Sequence, residues 1–217
     1  MNKLLKINAL LVLAYSVSGC ATGLSQQECQ VADWYTIGYE DGTRGLPETR
    51  ISTHRQACAE HGITLDLGEY RNGRQAGIES YCQPGNGYNL GRKGKAYQGV
   101  CPGSAEPEFL DAYGAGKSLY ALEQNVRHLR NTLRRKHSRI DSIDVEMRDA
   151  GLELVAKNVP TERRVVLLDT LRKLGDERSQ TKVHISQLEV ELADKQEQLD
   201  QLYSASAYLS LIHISEP

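Results

Sequence analysis

The segment RISTHRQACAEHG, Arg50 to Gly62, spaces His54, Cys58 and His61 four and three residues apart. On a helix such spacings share one face. Imidazole and thiolate together form a zinc-type ligand set. His54 and His61 are therefore the metal candidates, although Cys58 also has a simpler use as a disulfide partner. A second group of chemistry-bearing residues lies between Glu69 and Cys101. There YRNGRQAGIESYC and NLGRKGKAYQGVC repeat one pattern, Gly-Arg followed by Tyr and Cys. Arg74 and Arg92 are the matched cations, with Tyr70 and Tyr88 close by in sequence. Guanidinium forks and phenol rings suit the binding of a small molecule or a cell-wall glycan. Asp41, Arg44, Arg50 and His54 are further polar candidates for the same cleft. The chain shows no serine elbow, phosphate loop, paired-carboxylate motif or thiol nucleophile, so the residues predict no enzyme and no cofactor.

What the cysteines do depends on the compartment, and the N-terminus indicates it. Met1–Lys6 is short and basic, Ile7–Val17 is mainly apolar, and VSGC closes the segment at Cys20. This is the layout of a secretory signal, too short for a spanning helix of about 20 apolar residues. The last four residues resemble a bacterial lipobox. Residues 1–19 are then a signal peptide and Cys20 the lipidated first residue. Two or more acyl chains anchor a protein stably where one does not. Ala21 stands where Asp would retain the chain at the inner membrane under the Gram-negative sorting rule. The expected location is the outer membrane, facing the periplasm.

Four cysteines remain: Cys29, Cys58, Cys82 and Cys101. An even count in an oxidising compartment implies two disulfides, for which three pairings exist. Cys29–Cys58 and Cys82–Cys101 are preferred because each closes a local loop. Each bond contributes about 2–4 kcal/mol. With 26 basic and 28 acidic residues, the balance of charge points to no nucleic-acid partner.

These residues need elements to position them, and the two halves of the chain supply different kinds. Residues 20–29 read as a lipidated linker and 30–117 as a head rich in Gly, Tyr and Cys. In the head, Gly38 and Gly42, and Gly73 and Gly77, are spaced to mark close helix crossings. Gly91, Gly94 and Gly99 read as turn residues. Residues 118–208 change character. Leu119, Leu122, Val126, Leu129 and Leu133 begin a heptad that Lys136 interrupts and Ile140, Ile143, Met147, Ala150 and Leu154 continue. Pro160 breaks it, with Thr161 as the next N-cap. Leu167, Leu171, Leu174, Ile185, Leu188, Leu192, Leu199 and Leu202 form a second series, with Arg178 and Thr181 as a polar gap. The fold expected is mainly α: a small disulfide-stapled helical and loop-rich head, then a long antiparallel coiled-coil hairpin turning near 158–161. Folding back would set the basic run Arg127–Arg139 against Glu189, Glu191 and Asp194. A parallel homodimer is the competing arrangement.

The last nine residues, LSLIHISEP over 209–217, resemble a translated transposase-adapter sequence. They carry no weight in the fold expectation. DWYTIGYEDGTRG, HRQAC, YRNGRQAGIESYC, GYNLGRKGKAYQGVCP and FLDAYGAGK together resemble the domain of unknown function 2799 family of Gram-negative lipoproteins, over about 30–117. The resemblance implies a periplasm-facing lipoprotein and transfers no catalytic or binding residues. The predicted role is structural or interactive: a membrane partner through the lipid, and an envelope protein or a second copy through the coiled coil. The alternatives are a small-molecule or cell-wall-glycan binding head, and a metal-dependent enzyme using His54 and His61.

Overall fold

The computed structural model describes residues 24–212. Residues 1–23, with the expected signal segment and Cys20, and residues 213–217 lie outside them; residues 209–212 of the adapter-like tail continue a helical backbone. All regular structure among the described residues is helical: α1 (Gln26–Val31), α2 (Trp34–Thr43), α3 (Arg50–Ala59), α4 (Leu67–Tyr81), α5 (Pro84–Arg92), α6 (Glu106–Leu154) and α7 (Thr161–Ile212). The chain divides into two compact units. The first holds residues up to Asn86 together with Tyr97–Phe109; the second holds Gly87–Ala96 and Leu110 onward. The divisions fall inside α5 and α6, and α6 passes position 117 without a break.

In the first unit, side chains that can cap start the helices. Ser25 and Glu28 form a reciprocal capping box on α1. Asp33 accepts from the Tyr35 and Thr36 amides to start α2, and Asp66 accepts from the Glu69 amide to start α4. Helices α2 and α4 then cross with their backbones in contact. A Cβ placed on Gly42 would lie 2.4 Å from the Arg74 carbonyl oxygen. One on Gly77 would lie 2.3 Å from that of Tyr39. Gly38 and Gly73 make the same approach one turn earlier, against Tyr70 and Tyr35. Disulfides join Cys29 to Cys58 and Cys82 to Cys101. The first sits in a core with Trp34, Leu65 and Tyr70. Beside the second, the rings of Tyr81 and Tyr97 lie 5.4 and 4.9 Å from that of Phe109, which is fully buried.

The second unit repeats the crossing with α5 and α6. A Cβ on Gly91 would lie 2.3 Å from the Tyr113 carbonyl oxygen, and one on Gly116 would lie 2.2 Å from that of Tyr88. The correspondence extends residue by residue. YEDGTRG (39–45) aligns with YNLGRKG (88–94), and RQAGIESY (74–81) with YGAGKSLY (113–120). Gly45 and Gly94 both end their helix at φ +64°, each facing a tyrosine ring, Tyr81 or Tyr120. The turns close alike, Leu46 N–H to the Asp41 carbonyl and Lys95 N–H to that of Leu90. Even the outside contact recurs: Arg74 donates to the Leu46 carbonyl, and Tyr113 donates to the Lys95 carbonyl. The repeat is therefore a helix pair, and Arg74 does not correspond to Arg92 as the bare pattern of Gly-Arg predicts. Gly91 is a buried helix residue at a crossing, not a turn residue, whereas Gly94 and Gly99 do adopt turn conformations.

The rest of the second unit is the antiparallel hairpin of α6 and α7. Leu119, Leu122, Val126, Leu129, Leu133, Ile143 and Ala150 of α6 are buried, with Leu167, Leu174 and Ile185 of α7. Ion pairs cross between the helices: Glu153 with Arg163 next to the turn, and farther along Arg139 with Glu177, both at 2.7 Å, and Asp144 with Arg178 at 2.6 Å. Exposed pairs of this kind contribute at most about 1 kcal/mol each, so they report register more than stability. Lys136 and Arg178 are half-buried and Thr181 is buried, forming a polar layer within the seam. Thr161 is the first helical residue, not the cap. The Pro160 carbonyl already accepts from Arg164 N–H at 3.0 Å.

Substitution by alanine separates contact glycines from idle ones. Gly77→Ala and Gly116→Ala push a methyl into a backbone carbonyl and are expected to cost about 1–3 kcal/mol or more. Gly114 lies within α6 with nothing near its Cβ position. Gly114→Ala is expected to stabilise by up to about 1 kcal/mol through helix propensity alone. Thermal unfolding followed by circular dichroism checks both signs.

Candidate functional site

The densest polar cluster of the first unit draws one residue from each of three helices. Asp41 stands on the face of α2 that buries Trp34, Gly38 and Gly42. Because that face is nearly bare of side chains, α4 comes close enough to bring in Tyr70. The cap at Asp66 and the disulfide at Cys58 hold α4 and α3 in place around it. Tyr70 donates its hydroxyl to Asp41 Oδ2 at 2.9 Å, and His54 Nε2 lies 2.9 Å from the same oxygen. All three side chains are buried.

The electrostatics follow from that burial. Desolvation pushes the Asp41 carboxyl up, but hydrogen bonds from His54 and Tyr70 and the charges of His54 and Arg50 outweigh it. The carboxyl is held below the usual aspartate range. An ionised carboxylate only accepts, so His54 Nε2 carries a proton toward it. Burial, and then the Asp41 carboxylate, drive the Tyr70 hydroxyl far above its ordinary value, so it remains a donor. Arg50 and Arg74 border the cluster, each with an Nε that is buried and without a hydrogen-bond partner among the described residues. Arg74 directs Nη2 to the Leu46 carbonyl at 2.9 Å.

This arrangement can hold a charge in the core. It offers no exposed nucleophile, since Cys58 is fully buried in its disulfide. The helical face that carries His54, Cys58 and His61 does not assemble a metal centre: His54 turns to Asp41, Cys58 bonds Cys29, and His61 is exposed. Among the described residues no three metal-ligating side chains converge. The other binding candidates are also engaged. In the second unit Arg92 makes two hydrogen bonds, 2.8 and 2.9 Å, to the Glu123 carboxylate. Tyr203 donates to that carboxylate as well. Tyr88 is half-buried, and its carbonyl rests against Gly116. Tyr70 and Arg74 thus belong to the first unit, and Tyr88 and Arg92 to the second.

Sequence reasoning names Asp41 and His54 together as candidates for a polar cleft, but does not join them with Tyr70 in a buried cluster. The available signal is Asp41 itself, an acid lodged between Gly38 and Gly42 on a helix face kept free for packing.

Residues 33–118 match the family model described as protein of unknown function, DUF2799. The likeness to a DUF2799 domain is one of this segment, which is less than half of the chain. The segment runs from Asp33, the cap of α2, to Ser118, and so takes in both glycine crossings and the whole Asp41–His54–Tyr70 cluster. Cys29 precedes it, and most of the hairpin follows it. Searches among curated proteins and among solved structures found no match.

The second crossing of the matched segment suggests how to test the cluster. The positions equivalent to Asp41 and Tyr70 are Leu90 and Phe109. Asp41→Leu alone leaves the Tyr70 hydroxyl buried without a partner, at a cost of roughly 1–3 kcal/mol. Adding Tyr70→Phe is expected to recover part of that loss. The native pair also sets an acid limit. Its folded pKa lies below the unfolded value of about 3.9, so its stabilisation is complete above that pH and is lost as pH falls through the folded value. Asp41→Asn should flatten this acid-side drop in melting temperature.

Proposed function

We propose that this chain is a lipid-anchored protein of the outer membrane, facing the periplasm, whose helical hairpin is an interaction element of the cell envelope. The observation that carries the interaction role is at the turn of the hairpin. Leu152, Val155 and Val165 are 64, 76 and 62 % exposed, and Val166 and Leu168 beside them are more than half exposed. Five large apolar side chains within a few turns of one loop are an unusual surface for a soluble helix pair, and clustered apolar exposure marks contact sites. The partner is an envelope protein or a second copy of the chain.

The anchoring rests on the basic start, the apolar run and the VSGC lipobox, with Ala21 favouring the outer membrane. A spanning helix is not an alternative among the described residues, none of whose helices is long and apolar enough to cross a membrane. Burial of Cys29, Cys58, Cys82 and Cys101 as disulfides agrees with an exported chain.

Two measurements test the two parts separately. Cys20→Ser should abolish labelling by a clickable fatty acid and move the protein out of the membrane fraction; unchanged labelling and fractionation would remove the anchor. A photo-crosslinking amino acid at Val155 or Val166 should give a discrete adduct in cells, and one at exposed Ser179 should not. Equal adducts at all three positions, or none, would remove the interaction role.

A further inference from the structure

The hairpin treats its arginines unequally. Arg139, Arg163 and Arg178 each meet a carboxylate on the opposite helix. Arg130 and Arg134 meet none among the described residues, and Arg127 has only Glu123 nearby. The carboxylate of Glu123 is already engaged by Arg92 and Tyr203. Glu189, Glu191 and Asp194, the acids expected opposite the basic run, make no ion pair with it; Asp194 pairs with Lys195 on its own helix. The contact of Glu123 with Tyr203 gives the local register. One heptad along, it places Gln196, a neutral residue, across from Arg130.

The three arginines also share a concave surface. Arg127, Arg130 and Arg134 line one groove between α6 and α7, of about 390 Å³, with Glu123, Asn131, Val126, Leu199 and Tyr203. Their spacing of three and four residues places them on one side of α6. At 1.5 Å per residue the outer two are roughly 10 Å apart and the nearer pairs about 5–6 Å. Guanidinium groups fit phosphate oxygens two at a time, and several together bind where one in water does not. Leu199 and the Tyr203 ring give the same groove an apolar wall.

We propose that this groove binds a ligand bearing two or more phosphate groups, held by Arg127, Arg130 and Arg134 with its less polar part against Leu199 and Tyr203. Phosphorylated lipid headgroups and free oligophosphates both offer that chemistry. The site is on the hairpin, outside the segment that matches the family, and is separate from the apolar turn.

The test is calorimetric titration of the full chain in non-ionic detergent with two probes: inorganic tripolyphosphate, and a short-chain phosphatidylglycerol phosphate, whose headgroup carries two phosphates, below its micelle concentration. Binding of either supports the site. Tripolyphosphate alone indicates a soluble ligand, and phosphatidylglycerol phosphate alone a headgroup. Arg127→Gln, Arg130→Gln and Arg134→Gln combined should weaken binding about tenfold or more while leaving the melting temperature in place, because these side chains are exposed and glutamine keeps helix propensity. Arg139→Gln should leave affinity unchanged, since its guanidinium already lies on Glu177 and Glu146. No binding of either probe, full binding by the triple variant, or an equal loss with Arg139→Gln would overturn the proposal.

Discussion

The contact on which the first unit depends is between backbones, not side chains. Gly42 and Gly77 leave no room for a Cβ, and that absence sets how near α2 and α4 can come. Close approach brings many main-chain atoms into van der Waals range, where each adds little and the sum is large. Glycine in a helix costs about 1 kcal/mol relative to alanine. Two or more glycines per helix are tolerable only if the crossing returns that stabilisation. The same constraint appears again at Gly91 and Gly116 in the second unit. The segment that matches the family is in this sense one packing solution written twice, with the turn glycine, the tyrosine lid and the capping donor carried along.

The two copies differ in what lies beside the crossing. At one position the chain has Asp41 and at its equivalent Leu90; Tyr70 answers to Phe109. An acid in the first copy is tolerable because two donors reach one oxygen, and Arg50 adds its charge. Removing one partner from such a set is costly, while replacing both by apolar groups is nearly neutral. The second copy has apolar residues at both equivalent positions. The polar version is consequently not required by the glycine crossing, and it adds a constraint on α3 that the crossing alone does not supply, through His54. That constraint acts together with the Cys29–Cys58 bond, which ties α1 to the same helix.

Different parts of this architecture are legible from sequence for different reasons. The hairpin is legible because a heptad is a local periodicity, and Leu119 to Leu133 display it without interruption. Two disulfides follow from an even count of cysteines and the export signal expected at the N-terminus. The glycine spacing in α2 and α4 points to a crossing, because Gly38–Gly42 and Gly73–Gly77 each share a face. The second crossing is hidden although α5 buries Gly87 and Gly91 four residues apart, because Gly91, Gly94 and Gly99 follow one another in a single glycine-rich run and together read as turn residues. The true register of the repeat is hidden for a related reason. Gly-Arg at 73–74 and 91–92 is the conspicuous match, yet the equivalence joins Gly42 to Gly91 and Gly77 to Gly116. Recognising it needs two separated segments compared as a pair. The Asp41–His54–Tyr70 cluster is invisible for the same cause, as its members are 13 and 29 residues from Asp41 and no local pattern links them.

Charge on the hairpin shows where reflection about a turn ceases to be a guide. Near the turn the reflection works, because a short loop fixes which residues oppose each other, and Glu153 meets Arg163. Farther along, an ion pair requires an acid at the flanking position and not merely in the opposing stretch. Glu189, Glu191 and Asp194 lie in the opposing stretch, yet among the described residues none of them pairs with Arg130 or Arg134, and Asp194 turns to Lys195 on its own helix. Exposed arginines without partners carry little energetic penalty in water. Folding therefore exerts no pressure to place or to remove them, and the seam would close equally well with glutamine at those positions. Their concentration on one wall of a groove that also contains Leu199 and Tyr203 is a feature that the stability of the hairpin does not explain, and it points outward, to a ligand.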